Sequence, residues 1–263
     1  MKRYRALAIS LLLALPGVPG AAETGGRPAT PKPQAHDHRA AKKLMLENAE
    51  GASVTLWKPD LSTQPLSFDQ GGFTLPKTGM DNYHAVVAER TWGDTKESVI
   101  RYEYLFGRPS KHSPGELAGA VKTDLEIVPD PIPREHYRYH SDQTWGFLLR
   151  LHGTPAGGIP LTLRTANGTQ LDAVSDPSGR VAFRLPDDFP GLVPGVRDDR
   201  SAAFTVSAEM RDADMIYQTT LSADYRVNPA HWQSTRWGWM VAGLGFVAGG
   251  LLGRTKKQGR QKP

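Results

Sequence analysis

The chain has no cysteine in its 263 residues, and that absence removes several kinds of protein at once. Disulfide frameworks, iron–sulfur clusters, thiolate zinc sites, a cysteine nucleophile and a lipidated N-terminal cysteine are all excluded. Any metal would have to be held by histidine, carboxylate or backbone oxygen. Also missing are G-x-S-x-G, H-E-x-x-H, a P-loop and a strand-following G-x-G-x-x-G, so no enzyme activity and no resident cofactor are expected. A basic stripe interleaved with aromatics is missing too, although the formal charge is +5. The positive excess sits at the ends: Lys2, Arg3 and Arg5 precede the first apolar run, and Arg254, Lys256, Lys257, Arg260 and Lys262 follow the last. Without them the basic residues are outnumbered by the 27 acidic ones, so nucleic acid is not an expected partner.

Long apolar runs are scarce, and the two that exist lie near the termini. Residues 1–22 combine a basic start, an apolar run from about Ala6 to Leu15 and small residues at Gly20 and Ala22, the pattern of a cleavable signal peptide with the mature chain starting at Glu23. Residues 23–43 hold almost no large apolar side chain and read as a flexible leader. Within it His36 and His38 flank Asp37; neutral imidazoles are common ligands of transition metals, so these two are the candidate metal residues. The second run, residues 237–253, carries no charge and is bounded by Arg236 and Arg254. As a helix it would be about 25 Å long, near the thickness of a bilayer core. Trp232, Trp237 and Trp239 on one side and the basic residues 254–263 on the other predict a single-pass span with the soluble region in the periplasm and the tail in the cytoplasm. Gly245, Gly249 and Gly253 recur every four residues and would line one helix face, open to close approach by another helix. The expected partner is therefore an inner-membrane protein, a permease subunit or a second copy of the chain.

Between these runs the grammar is that of β-structure. Trp145, Phe147, Leu149 and Leu151 alternate with Gly146, Leu148, Arg150 and His152, and Val181, Phe183 and Leu185 alternate after the turn Asp176–Gly179. Strands are also expected at 83–92, 97–106, 124–129, 204–210 and 217–227, where Ile100, Tyr102, Tyr104 and Phe106 share one face and Arg101 and Glu103 the other. Residues 107–120, rich in Pro, Ser, Lys and Gly, read as a surface loop. A boundary at Asp130-Pro131-Ile132-Pro133 predicts two antiparallel β-sandwich-like domains, 44–130 and 131–229, in an all-β protein. His84 and His112 stand alone. His136 and His140 are too far apart on an extended chain to share an ion. The aspartate pairs 187–188, 198–199 and 212/214 lack the spacing of a calcium loop and read as solvated turns.

The segments KTDLEIVPDPIP, GIPLTLRT and VSDPSGRVAFRLPDD resemble a family of secreted bacterial β-proteins similar to the periplasmic components that accompany nickel and cobalt uptake systems. That family contains a carboxypeptidase-regulatory-like (prealbumin-like) sandwich. The resemblance covers about residues 50 to 225 and rests on turn and strand markers. It implies a membrane-anchored accessory protein of transition-metal uptake. Residues alone imply the alternative, a structural or adaptor module without a ligand.

Overall fold

The structure, a computed structural model, describes residues 10–13, 42–67, 72–133 and 138–233. In chain order the strands of the first part are β1 (Ser10–Leu13), β2 (Lys43–Glu47), β3 (Ser53–Trp57), β4 (Thr63–Leu66), β5 (Gly72–Thr74), β6 (Met80–Trp92), β7 (Thr95–Leu105) and β8 (Arg108–Pro109). A six-residue helix, α1 (Pro114–Gly119), comes next. It is followed by β9 (Leu125–Pro129), β10 (Tyr139–His140), β11 (Thr144–Leu151), β12 (Thr154–Pro155), β13 (Pro160–Thr165), β14 (Gln170–Val174), β15 (Arg180–Arg184), β16 (Ser201–Asp212) and β17 (Met215–Arg226).

The all-β expectation holds, but the strands on either side of residue 130 share one sheet. Its order is β14-β13-β16-β17-β7-β6-β3-β4, with β10 added to β17 and β8 to β6. The joint is β7 against β17, parallel, with Thr95 opposite Ile216 and Arg101 opposite Ser222. The sheet is thus mixed rather than purely antiparallel. Residues 189–200 and 227–233 belong to a second compact unit. There Gly195 N–H donates to His231 O (2.8 Å) and Asn228 caps a short 3-10 turn, Pro229–His231.

Alternation along β7 explains how the layers stack. Val99 faces Leu44, Leu46, Phe73 and Leu75 of the small sheet β1-β2-β5 and its flank, in a core shared with Val54, Leu56 and Val86. Ser98, one residue earlier, points the other way and donates to Leu125 O of β9 at 3.0 Å. β9 pairs with β11, which pairs with β15 and β12, making a four-stranded sheet on that opposite face. Its core is aromatic: Tyr139 meets Trp145 and Phe204 edge-on at 4.7 and 5.1 Å, and Phe147 meets Phe204 at 6.4 Å. Such pairs add to the stabilisation that burial of large apolar area already gives.

The expected loop 107–120 contains α1. Ser113 Oγ accepts from Glu116 N–H while Glu116 Oε1 accepts from Ser113 N–H, a reciprocal cap with Pro114 in the first turn. The other end of α1 is held by buried charge. Arg150 donates to the carbonyls of Ala118, Gly119 and Ala120, and Lys122 Nζ donates to those of Leu117 and Ala120. Both cations meet Glu126, Arg150 Nε at 2.6 Å and Lys122 Nζ at 3.3 Å. Helix-terminal carbonyls, which lack partners within the helix, are thereby satisfied. Six residues are too few to hold a helix without such support.

Asp176–Gly179 forms the expected turn, with Asp176 Oδ1 accepting from Ser178 N–H, Ser178 Oγ and Arg180 N–H. Gly179 sits at φ +75°, and a Cβ there would lie 2.5 Å from Leu149 O, so glycine is required on two counts.

Candidate functional site

Past Arg101 and Ser222 the parallel strands β7 and β17 part. β7 continues beside β6, out to Leu105 opposite Asn82, while β17 continues beside β10, with Tyr139 opposite Tyr225 and His140 opposite Arg226. A cleft of about 330 Å³ opens in the angle between them. One wall is aromatic: Tyr104 meets Tyr83 edge-on at 5.3 Å and Phe106 at 5.4 Å. Tyr102, Tyr139 and Leu221 also line the cleft. This aromatic row was legible as a same-face series in β7, where it reads as core.

The charged face of β7 is buried as well, which alternation alone does not foretell. Arg101 Nε donates to Glu103 at 2.6 Å, Nη2 to Asp224 at 2.5 Å and Nη1 to Ser222 Oγ at 3.3 Å. Lys42 Nζ donates to Glu103 at 2.6 Å and to Tyr104 O at 2.9 Å. Burial works against ionisation of Glu103, but Arg101 and Lys42 outweigh it and hold the carboxyl below its ordinary range. Burial likewise opposes the charge on Arg101, and Glu103 and Asp224 overcome it. The network is matched internally, cation for carboxylate, so it braces the two strands where their ladder stops.

Arg138 and Arg226 bring two further guanidinium groups to the described lining of the cleft. The neighbouring His140 registers that field: burial first, then the charges of Arg226 and Arg138, push its pKa below the ordinary value, while a hydrogen bond with the Arg138 backbone opposes them. Burial and the positive rim thus work against protonation of His140.

Other titratable groups serve the fold. His84, fully buried, bonds through Nε2 with Thr78 Oγ1 at 2.7 Å and through Nδ1 with Asn82 O at 3.0 Å. His112 pairs with Glu116 at 2.8 Å on the surface. Asp187 accepts from Ser141 at 2.8 Å, and Asp188 accepts from Thr165, Asn167 and the Tyr225 hydroxyl. Asp198 pairs with Arg200 and Asp199 with Arg197. These aspartates are turn anchors, in line with their reading as loop residues. Among the described residues no group of three or more histidines and carboxylates could hold a metal ion, and no helix is long and apolar enough to cross a membrane. His36, His38, His136, Gly245, Gly249, Gly253 and the whole of residues 237–253 lie outside the described residues. Of residues 1–22, the four of β1 are described, and they run antiparallel to β2.

No protein-family model matches the chain, and no curated protein does. Among solved structures it is similar to a Ca²⁺-stabilised adhesin with which an Antarctic bacterium binds ice, at 16% identity and TM-score 0.27, over 72% of this chain and 43% of that one. The chain thus spans less than half the length of that adhesin. It is also similar to a two-domain fibronectin type III segment of chicken tenascin, at 11% identity and TM-score 0.23, covering 71% of this chain and 91% of that one. A third is SGBP-B of a Bacteroides ovatus mixed-linkage glucan utilisation locus, solved with a heptasaccharide, at 12% identity and TM-score 0.20, covering 83% and 70%. Likeness this low carries no inference about function.

Proposed function

We propose that the chain is an exported, membrane-tethered binding module without catalytic activity, and that it takes its ligand in the cleft between β7 and β17. The ligand class is a carboxylate carried on a flat apolar body. One observation carries this reading: an aromatic wall of Tyr83, Tyr104 and Phe106 stands in the same cleft as the guanidinium of Arg138, which no carboxylate among the described residues pairs. A cleft of about 330 Å³ is of the size that encloses a small ligand or one terminal residue of a chain. Aromatic edges and faces take up the body, and a guanidinium takes the carboxylate. Export and tethering rest on the signal-peptide and span patterns of the sequence.

N-acetyl-phenylalanine and its neutral amide, titrated into the protein with His140 followed by NMR, test the reading. The acid should bind at least about ten-fold more tightly than the amide, a difference of about 1.4 kcal/mol, and should raise the pKa of His140 by placing an anion beside it. Arg138→Ala should remove the preference. Equal affinity for acid and amide, or no saturable binding of either, would overturn the assignment.

The role in nickel or cobalt uptake is supported by the family resemblance of residues 50 to 225. Calorimetric titration with Ni²⁺ and Co²⁺, repeated on a His36→Ala/His38→Ala chain, decides it. Absence of saturable binding tighter than about millimolar sinks the ion-carrier version.

A further inference from the structure

β2 is the middle strand of the small sheet, and one of its two sides is held by β1, a segment that the sequence marks for removal. Its five residues alternate, with Leu44 and Leu46 buried in the core and Lys43, Met45 and Glu47 exposed. Leu75 N–H donates to Lys42 O. By strand alternation Leu44 and Leu46 therefore also turn their backbone groups toward β5, while Lys43, Met45 and Glu47 turn theirs to the opposite edge. On that edge sits β1, with Ser10 opposite Glu47, Leu12 opposite Met45 and Leu13 opposite Leu44. β1 lies inside the apolar run of the expected signal peptide. Cleavage after Ala22 would take it away and leave the N–H and C=O groups of Lys43, Met45 and Glu47 facing outward, beside Leu44 and Leu46. Such an edge is a template for another strand.

The sequence of β2, Lys-Leu-Met-Leu-Glu, is complementary to itself when reversed. We infer that in the processed chain this edge pairs antiparallel with the same edge of a second copy, about a two-fold axis between the two Met45 residues. In that register Lys43 stands opposite Glu47 of the second copy and Glu47 opposite its Lys43, both on the outer face. Leu44 stands opposite Leu46 on the core face. Met45 and its mate form a mutually hydrogen-bonded pair at the centre, because Met45 already directs its backbone outward. The sheet then runs β5-β2-β2-β5 across the axis, an isologous contact. A parallel pairing in register would set Lys43 against Lys43 and Glu47 against Glu47, and like charges directly opposite disfavour it. β1 and the second copy use the same backbone groups, so the two states exclude one another, and processing releases the edge for assembly.

The lack of any cysteine gives a clean readout. In the full-length gene product expressed in the membrane, Met45→Cys should yield a disulfide-linked dimer on a non-reducing gel, since Cα atoms of such a pair lie about 5.5 Å apart, within disulfide reach. Val174→Cys, on the exposed outer strand β14 of the large sheet, should not. In the Met45→Cys background Lys43→Glu and Glu47→Lys should each lose most of the dimer band, and the two together should restore it. Recovery in the double variant also shows that neither change unfolds the chain. The inference is overturned if Met45→Cys gives no dimer beyond the Val174→Cys level, if the single charge reversals leave the band unchanged, or if N-terminal sequencing shows that residues 10–13 stay on the cross-linked chain. Failure here leaves the cleft reading standing, since none of these residues lines the cleft.

Discussion

The guanidinium of Arg101, the last residue of β7 paired with β17, donates to the carboxylate of Asp224, two residues past Ser222 where that pairing ends, at 2.5 Å. This bond spans the mouth of the angle in which the two strands separate. It ties together halves of the sheet that are far apart in the chain, and its partner Glu103 is itself buried.

Asp224→Ala should therefore destabilise the protein by about 2 kcal/mol, because it leaves a buried guanidinium short of a partner. Asp224→Asn, which keeps an acceptor, should cost less. Urea midpoints of the two variants, with unchanged m-values, provide the comparison.

Lys122 has no exposed side-chain surface, and burial lowers its pKa to about 8 despite the opposing charge of Glu126. The unfolded chain titrates near the ordinary 10.5, so between about 8 and 10.5 the unfolded state binds more protons. Stability from this group should rise with pH across that window, by no more than about 3 kcal/mol. Lys122→Met should flatten the slope of unfolding free energy against pH over that range. An unchanged slope would refute the assignment.

His84 behaves in the opposite pH range. Burial lowers its pKa below 6.5, with the Asn82 carbonyl opposing, so the unfolded state binds more protons just below pH 6.5. Stability should fall as pH drops from about 6.5 through the folded pKa and then level off. His84→Gln should remove this part of the acid sensitivity, as thermal midpoints measured between about pH 7 and 5 would show.

Gly179→Ala should cost at least about 2 kcal/mol, since it adds a clash with Leu149 O to an unfavourable φ of +75°. Gly168→Ala, at φ +99° with nothing within 4 Å, should cost only about 1 kcal/mol. Thermal midpoints of the pair separate the steric from the conformational part.

Much of the site was legible in part. The row Tyr102, Tyr104 and Phe106 follows from alternation in β7, and the turn before β15 follows from Asp176 and Gly179. The opposite face of β7 was not, because Arg101 and Glu103 look like solvent-facing residues until Lys42 and Asp224 supply their partners. Lys122, Glu126 and Arg150 belong to the same class. Each sits in a segment that reads as a strand or its flank, and their pairing with one another and with the end of α1 shows only in three dimensions. The capping box Ser113-x-x-Glu116 was a readable helix signal within a stretch whose Pro and Gly content suggested a loop.

Period-2 alternation and turn residues are local properties, so the sequence by itself determined the long strands, the all-β class and the concentration of positive charge at the ends. Strand partnership is not local. Nothing in β7 names β17 as its neighbour, because both are alternating strands that could close separate antiparallel sandwiches. Tertiary structure decided that they pair in parallel from Thr95 to Arg101 and then part. Backbone hydrogen bonds are the same for any partner, so the choice fell to side chains that only folding brings together: Ser98 with Thr219, and Arg101 with Ser222 and Asp224.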